Sequence, residues 1–256
     1  MKIITYSDLH LEFGTDFMPL SDSCADLMIL AGDTIVFNNY RPLSRFLQGW
    51  NKPILYVAGN HEYYSGTPIA RDNELFRRFL AERHPNVTFL QNEAITIDGV
   101  HFFGGTMWTN FDDANSVAMD RAQRGMNDYR RICVSEGKAL HPADTIIFHD
   151  NYVQKLVEWF ERDLSGARVV ISHHAPAMNP NTKYGNSELM PAFNSLDMLP
   201  IIEKYQPNIW VYGHTHECDD QTIGNTRIIS NQRGYPRHFD ACECEGFDES
   251  GIMIKI

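Results

Sequence analysis

The sequence has no apolar run long enough to cross a bilayer. Its opening, MKIITYSDLH, is interrupted by Asp8 almost at once, which also leaves it short of the apolar region of a secretory signal. A cytoplasmic protein with no membrane partner is therefore expected. There is no basic run either. With 22 Lys and Arg against 33 Asp and Glu, the formal charge is -11. An acidic surface repels phosphate backbones, so a nucleic-acid polymer is not an expected partner. The same charge suits a site that gathers cations. Cysteine is scarce: Cys24, Cys133, Cys218, Cys242 and Cys244 are odd in number and scattered, which excludes a fully paired disulfide framework. Cys242 and Cys244 have no second pair with which to complete a zinc site, so reduced thiols are expected. What remains is an ordinary globular composition in 256 residues, undivided by any low-complexity linker or repeat. The expectation is one domain over 1–256.

KIITYSD, ADLMILAGD and PILYVAGNHE each run apolar and then break into small or polar residues. Near-continuous apolar runs suit strands covered on both faces. PLSRFLQGW has helical spacing, as does the segment from Pro68, which places proline in a first helical turn. AITIDGVHFFGG predicts a hairpin turning at Asp98 and Gly99. Residues 143–163 predict an amphipathic helix with Ile147, Val153, Leu156, Val157 and Phe160 facing the core. ARVVISHHAP, PNIWVYGHTH, TRIISN and GIMIKI read as further strands, and SLDMLPIIEKYQ as a helix kinked or broken at Pro200. Strands alternating with helices predict an α/β domain with two packed sheets.

Five strand ends carry the same kinds of residue. They are SDLH (Asp8, His10), AGD (Asp33), GNHE (Asn60, His61, Glu62), SHHAP (His173, His174) and GHTH (His214, His216). Ligands of α/β sheets bind outside the carboxyl ends of strands, so these loops converge if the strands are mainly parallel. Any one of these motifs occurs by chance or as a turn or cap; the ordered set of five does not. Together they offer too many oxygen and nitrogen donors for one tetrahedral zinc. They suit two divalent ions sharing a carboxylate, with water at the open positions. Gly213 is expected to let the backbone turn, so that His214 and His216, alternate residues of an extended turn, face one site.

The ordered motifs DxH, GD, GNHE, H and GHxH, spanning Asp8 to His216, resemble those of the calcineurin-like metallophosphoesterases, in their small bacterial-type branch. The resemblance implies a four-layer α-β-β-α sandwich of two mixed sheets flanked by helices. It implies hydrolysis of phosphate esters at a binuclear centre, by attack of a hydroxide bridging two ions. By motif, Asp8, His10 and His216 would hold one ion, and Asn60, His173 and His214 the other, with Asp33 bridging. His173 is preferred to His174 because it directly follows the strand; His174 is left to line the pocket or pack behind it. His61 would protonate or stabilise the departing oxygen. Glu62 is expected to support the site rather than act as a base. Manganese, iron, zinc and nickel all suit the donors.

Substrate choice lies outside these motifs. GDTIVFNN and VAGNHE lack the arginines of GDxxDRG and RGNHE, which argues against the protein serine/threonine phosphatase branch. SDLHLE resembles the lipid-A pathway diphosphate hydrolases, but those usually carry arginine where His61 stands. The exonuclease branch usually carries extra domains. A small phosphoester is the expected substrate, a phosphodiester before a monoester. A metal-binding scaffold without turnover is the reading from another class, and it predicts gaps in the motif set that are not found. NPNTKYGNSELMPAFNS could form a rim or lid, with Lys183, Tyr184 and Asn186 touching substrate or simply solvated. In NQRGYPR, Arg233 offers a bidentate phosphate contact or a surface salt bridge. Trp108 and Phe111 are expected in the core.

Overall fold

A computed structural model describes residues 1–14, 17–19, 24–236 and 242–256. Strands β1 (Lys2–Tyr6), β2 (Leu27–Ala31), β3 (Ile54–Val57) and β4 (Val87–Phe89) pair in parallel in that order. The second sheet is built from β5 (Glu93–Ile97), β6 (Val100–Gly105), β9 (Arg168–Ser172), β10 (Ile209–Val211), β11 (Asp219–Ile223) and β12 (Thr226–Ser230). A short hairpin, β7 (Cys133–Ser135) and β8 (Lys138–Ala139), stands apart, and β13 (Ile252–Lys255) closes the first sheet antiparallel to β1. In the second sheet β6, β9, β10 and β12 run parallel, and β5 and β11 are antiparallel edges. Both sheets are thus mixed, with parallel centres.

Alternation along the strands assigns side chains to layers, because successive residues point to opposite faces. Leu27, Ile29, Leu55 and Val57 of the first sheet meet Phe102, Val169, Ile171, Val211 and Ile229 of the second in one buried layer. Their neighbours Met28, Leu30, Ile54 and Tyr56 face outward, under the helices Arg41–Phe46 and Ile69–Arg83. Val170, Trp210 and Ile228 face the other way, under the helices Pro142–Phe160 and Leu199–Tyr205. The result is the expected four-layer α-β-β-α sandwich. The hairpin turns at Asp98 and Gly99 with positive φ at both, as a two-residue primed turn requires.

Three local expectations are corrected. In the helix Pro142–Phe160 the buried stripe is Thr145, His149, Tyr152, Leu156, Trp159 and Phe160, while Ile147 is 64% exposed. Ile147 lies two residues from both Thr145 and His149, on the opposite side of a 3.6-residue period. Pro200 does not break a helix; it sits in the first turn of Leu199–Tyr205, where its missing N–H costs nothing. Pro68 caps the helix Ile69–Arg83 from outside instead of opening its first turn. Trp108 and Phe111 are buried in the core, as expected. Among the described residues no helix is long and apolar enough to cross a membrane.

Candidate active site

Because β1, β2 and β3 are parallel neighbours, their carboxyl ends lie on one edge and deliver Asp8 and His10, Asp33, and Asn60 and His61 together. β9 and β10 deliver His173, His214 and His216 from the second sheet in the same way. Backbone bonds hold the two edges in register: Ser7 N–H donates to Asn231 O at 2.9 Å, and Gly234 N–H to Asp8 O at 3.0 Å. His173 Nδ1–H donates to Ala31 O at 2.9 Å, from one sheet into the other.

All seven predicted ligands come together. Donor atoms of Asp8, His10 and His216 lie within 4.8 Å of one another, as do those of Asp33, His173 and His214, and those of His10, Asp33 and His61. Asp33 belongs to both sides: its Oδ2 is 3.9 Å from His10 Nε2 and its Oδ1 is 3.4 Å from His173 Nε2. Asn60 Oδ1 is 3.1 Å from His173 Nε2. His174 turns away: its Nδ1–H donates to Thr106 O at 3.2 Å and its ring packs against Trp108.

The histidines are aimed by what their far nitrogens meet. His10 Nδ1–H donates to Glu12 Oε1 at 3.1 Å, and His216 Nδ1–H to Glu243 Oε2 at 2.6 Å. With His173 on Ala31 O, three rings are held by Nδ1 and present Nε2 to the centre, the arrangement by which carboxylates and carbonyls orient metal-bound imidazoles. His10 and His216 then bring Nε2 to Nε2 at 3.2 Å, a contact that a shared cation resolves. His214 Nε2 is buried without a hydrogen-bond partner among the described residues. Burial, then the charges of His174 and His173, hold its pKa well below the usual range, so it stays a neutral imidazole. A buried neutral nitrogen with nothing to bond is what a metal ligand looks like before its ion. Burial alone would raise the Asp33 carboxyl, but the charges of His173 and His61 hold it well below the carboxylate range.

The local backbone is strained at this centre. Asp8, His10, Asp33, His214 and His216 all have positive φ, from 46° to 73°, a region costly for residues with a Cβ. The GHTH turn is therefore left-handed at both histidines, not extended as expected. Gly213 is required by space: a Cβ there would run into Ser7 Oγ and the Asp8 carboxylate.

Above the centre lies a cleft of 440 Å³. Asp33, Asn60, His61, His214 and His216 form its floor, and Met126, Leu189, Met190 and Phe193 an apolar wall. Tyr184 lines it, in keeping with a rim formed by its segment. Lys183 does not; its Nζ sits 3.4 Å from Glu245 on the surface, and Asn186 is exposed outside the lining. Arg233 is a correction: it is 5% exposed, with its guanidinium over the Phe17 ring, so it is neither a surface side chain nor part of the lining. Arg237 of NQRGYPR lies outside the described residues. A larger depression of 740 Å³ over the helix Ser116–Gly125 holds none of the predicted ligands.

Glu62 supports the floor, as expected. It is fully buried and accepts from Asp33 N–H, Thr34 N–H, Gly59 N–H and the Tyr56 hydroxyl.

Four residues around the centre were missed. Glu12 had a signal, standing two residues after His10. Tyr235 and Glu243 arrive from loops, and Asp128 from the start of the short helix Asp128–Arg131, none of them announced by a motif. Asp128 is buried and accepts from Asn60 Nδ2 at 2.9 Å and from the Tyr64 hydroxyl. It thereby fixes which end of the Asn60 amide faces His173. Asp128→Ala is expected to weaken metal retention about 10- to 100-fold, the usual cost of losing a residue that orients a ligand. Titration of metal-free protein with manganese checks this, and an unchanged affinity would refute the orienting role.

Fold and site together define a metal-dependent phosphoesterase. The chain belongs to the calcineurin-like phosphoesterase family, whose model matches residues 1–218. It is 28% identical to the uncharacterized protein L509 of Acanthamoeba polyphaga mimivirus, over 92% of each chain. It is 25% identical to the UPF0046 protein K07C11.7 of Caenorhabditis elegans, over 90% of this chain and 69% of that one. Among solved structures, the phosphopantetheinyl hydrolase of Mycobacterium tuberculosis superposes with a TM-score of 0.68 over 92% of this chain and 90% of its own, at 15% identity. At that identity the superposition shows a shared fold alone. Family and fold imply divalent metal cofactors and a phosphoester substrate.

Proposed function

We propose that residues 1–256 form one binuclear-metal domain that hydrolyses small-molecule phosphodiesters. Asp8, His10 and His216 would hold one ion and Asn60, His173 and His214 the other, with Asp33 between the two sets. Bound there, the ions supply Lewis acidity and an activated water. Manganese, iron, zinc and nickel all suit this nitrogen and oxygen set, and manganese is the ion chosen for the assay. The chain's own groups do the rest. His61, adjacent to the ligands but on the cleft side, assists the departing oxygen. A cytoplasmic setting accords with five cysteines that are all free.

The character of the cleft carries the diester reading. Its described lining holds Asp128 and Glu243 and an apolar wall, and no Lys or Arg. A diester brings one negative charge to the metals and a second organic group to lie on that wall. A monoester brings two charges, and that lining offers its extra charge no Lys or Arg. The manganese-loaded protein is expected to turn over bis(p-nitrophenyl) phosphate at least about 10-fold faster than p-nitrophenyl phosphate, a preference worth about 1.4 kcal/mol. The reverse order would make it a phosphomonoesterase. Silence on both, with two metals bound, would leave a scaffold or a narrower substrate.

A further inference from the structure

The atom of His61 that faces the cleft is already engaged. His61 Nδ1–H donates to Glu12 Oε1 at 3.1 Å, the same oxygen that holds His10. This fixes Nε2 as the working nitrogen, and Nε2 lies 2.9 Å from the hydroxyl of Tyr235. The Tyr235 side chain is not a stray surface group. Its ring stacks on His10 with centroids 4.4 Å apart and planes 30° from parallel. Its backbone N–H donates to Glu243 Oε2 at 3.0 Å, the carboxylate oxygen that also holds His216. Tyr235 is nonetheless 39% exposed and lines the cleft. A phenol has one proton to give and lone pairs to receive. When Nε2–H donates to its oxygen, its own O–H is free to donate to a third group in the cleft.

We propose that Tyr235 is a catalytic residue that relays the proton from His61 Nε2 to the oxygen of the leaving group. The inference rests on the reading of His61 as the residue that assists departure. As the P–O bond breaks, its electron pair stays on the leaving oxygen. That oxygen takes the phenolic proton while the phenolic oxygen takes the Nε2 proton. The products are a neutral alcohol, an intact tyrosine and a neutral His61 still bonded through Nδ1–H to Glu12. The ring stack on His10 ties the relay to the metal ligands and holds the phenol beside them.

The test is leaving-group dependence, which a structural role would not produce. Tyr235→Phe keeps the ring on His10 and removes only the hydroxyl. Wild type, Tyr235→Phe and His61→Ala are compared, manganese-loaded, on bis(p-nitrophenyl) phosphate and on diphenyl phosphate, with bound metal measured for each. The p-nitrophenoxide leaves without a proton; phenoxide is a far stronger base and needs one. Tyr235→Phe is expected to retain its metal and lose less than about 3-fold on the first substrate but about 100-fold on the second, the scale of general-acid assistance. His61→Ala is expected to show the same pattern. Equal losses on both substrates in Tyr235→Phe, or lost metal, would overturn the relay and leave Tyr235 a packing residue. No loss in Tyr235→Phe beside a selective loss in His61→Ala would also overturn it, with His61 then touching the leaving oxygen directly. If neither variant discriminates, the leaving-group role of His61 falls, and the relay with it.

Discussion

Asp33→Ala is expected to abolish hydrolysis of bis(p-nitrophenyl) phosphate, by at least about 1,000-fold, while the protein stays folded. The size follows from the several kcal/mol that metal ions contribute to phosphoryl transfer, each 1.4 kcal/mol being about tenfold in rate. Asp33 is the residue whose loss removes the most of this. Its two oxygens face opposite halves of the centre, toward His10 and toward His173. Its Oδ1 also accepts from His61 N–H at 2.8 Å, so the substitution frees the peptide that carries His61, the residue proposed to assist the leaving group. Folding should survive, because the carboxylate sits among histidines that lose a counter-charge but can deprotonate. Two measurements check this: metal content of the purified variant, expected to fall below that of wild type, and its circular dichroism, expected to match. A variant that holds its full metal complement and turns over normally would show that Asp33 does not join the two halves.

The contrast between Asp33 and Tyr235 shows how much of the site could be read from the chain. Every predicted metal residue lies in the few residues beyond a strand's carboxyl end, and strand ends are legible because apolar runs stop there. Once the strands were taken as parallel, distance along the sequence no longer mattered, and Asp8 could be placed beside His214 although 206 residues separate them. Two packed sheets followed from strands alternating with helices, and the four layers from the resemblance the strand-end motifs carry. Groups that orient the ligands had no such marker. Asp128 opens the four-residue helix Asp128–Arg131, and Glu243 follows a stretch with no periodic pattern; each matters only because tertiary packing brings it to Asn60 or His216. In NQRGYPR the choice fell on the arginine for its charge, yet Arg233 is buried and the tyrosine two residues on reaches the cleft. The left-handed backbone at His214 and His216 was hidden for a related reason. Nothing in GHTH distinguishes an extended turn from a strained one, nor announces that Ser7 and Asp8 crowd Gly213.

Glu62→Gln carries the largest expected loss of stability. The carboxylate is fully buried, and its neighbours are all donors. Oε2 accepts from Asp33 N–H at 2.9 Å and Gly59 N–H at 2.7 Å. Oε1 accepts from Thr34 N–H at 2.8 Å and the Tyr56 hydroxyl at 2.5 Å. A glutamine of the same shape has one oxygen and one NH2. With its NH2 at the Oε2 side the glutamine faces two backbone donors, Asp33 N–H and Gly59 N–H, and orphans both; with its NH2 at the Oε1 side it orphans Thr34 N–H, while the Tyr56 hydroxyl can turn and accept from it. The amide takes the second orientation, and at 1–3 kcal/mol for an orphaned group the cost is about 2 kcal/mol. For a chain of this length that lowers Tm by about 4–8 °C. Calorimetry at one fixed manganese concentration is the measurement, since bound ions raise Tm by mass action. A variant that melts with wild type would mean the orphaned Thr34 N–H finds another acceptor. The consequence for chemistry follows from the same bonds. Glu62 ties the loop after β2, which carries Asp33, to the loop after β3, which carries Asn60. Loosening that tie moves the Asp33 carboxylate relative to the Asn60 amide, so activity should fall even below the melting temperature, where the fold itself is intact.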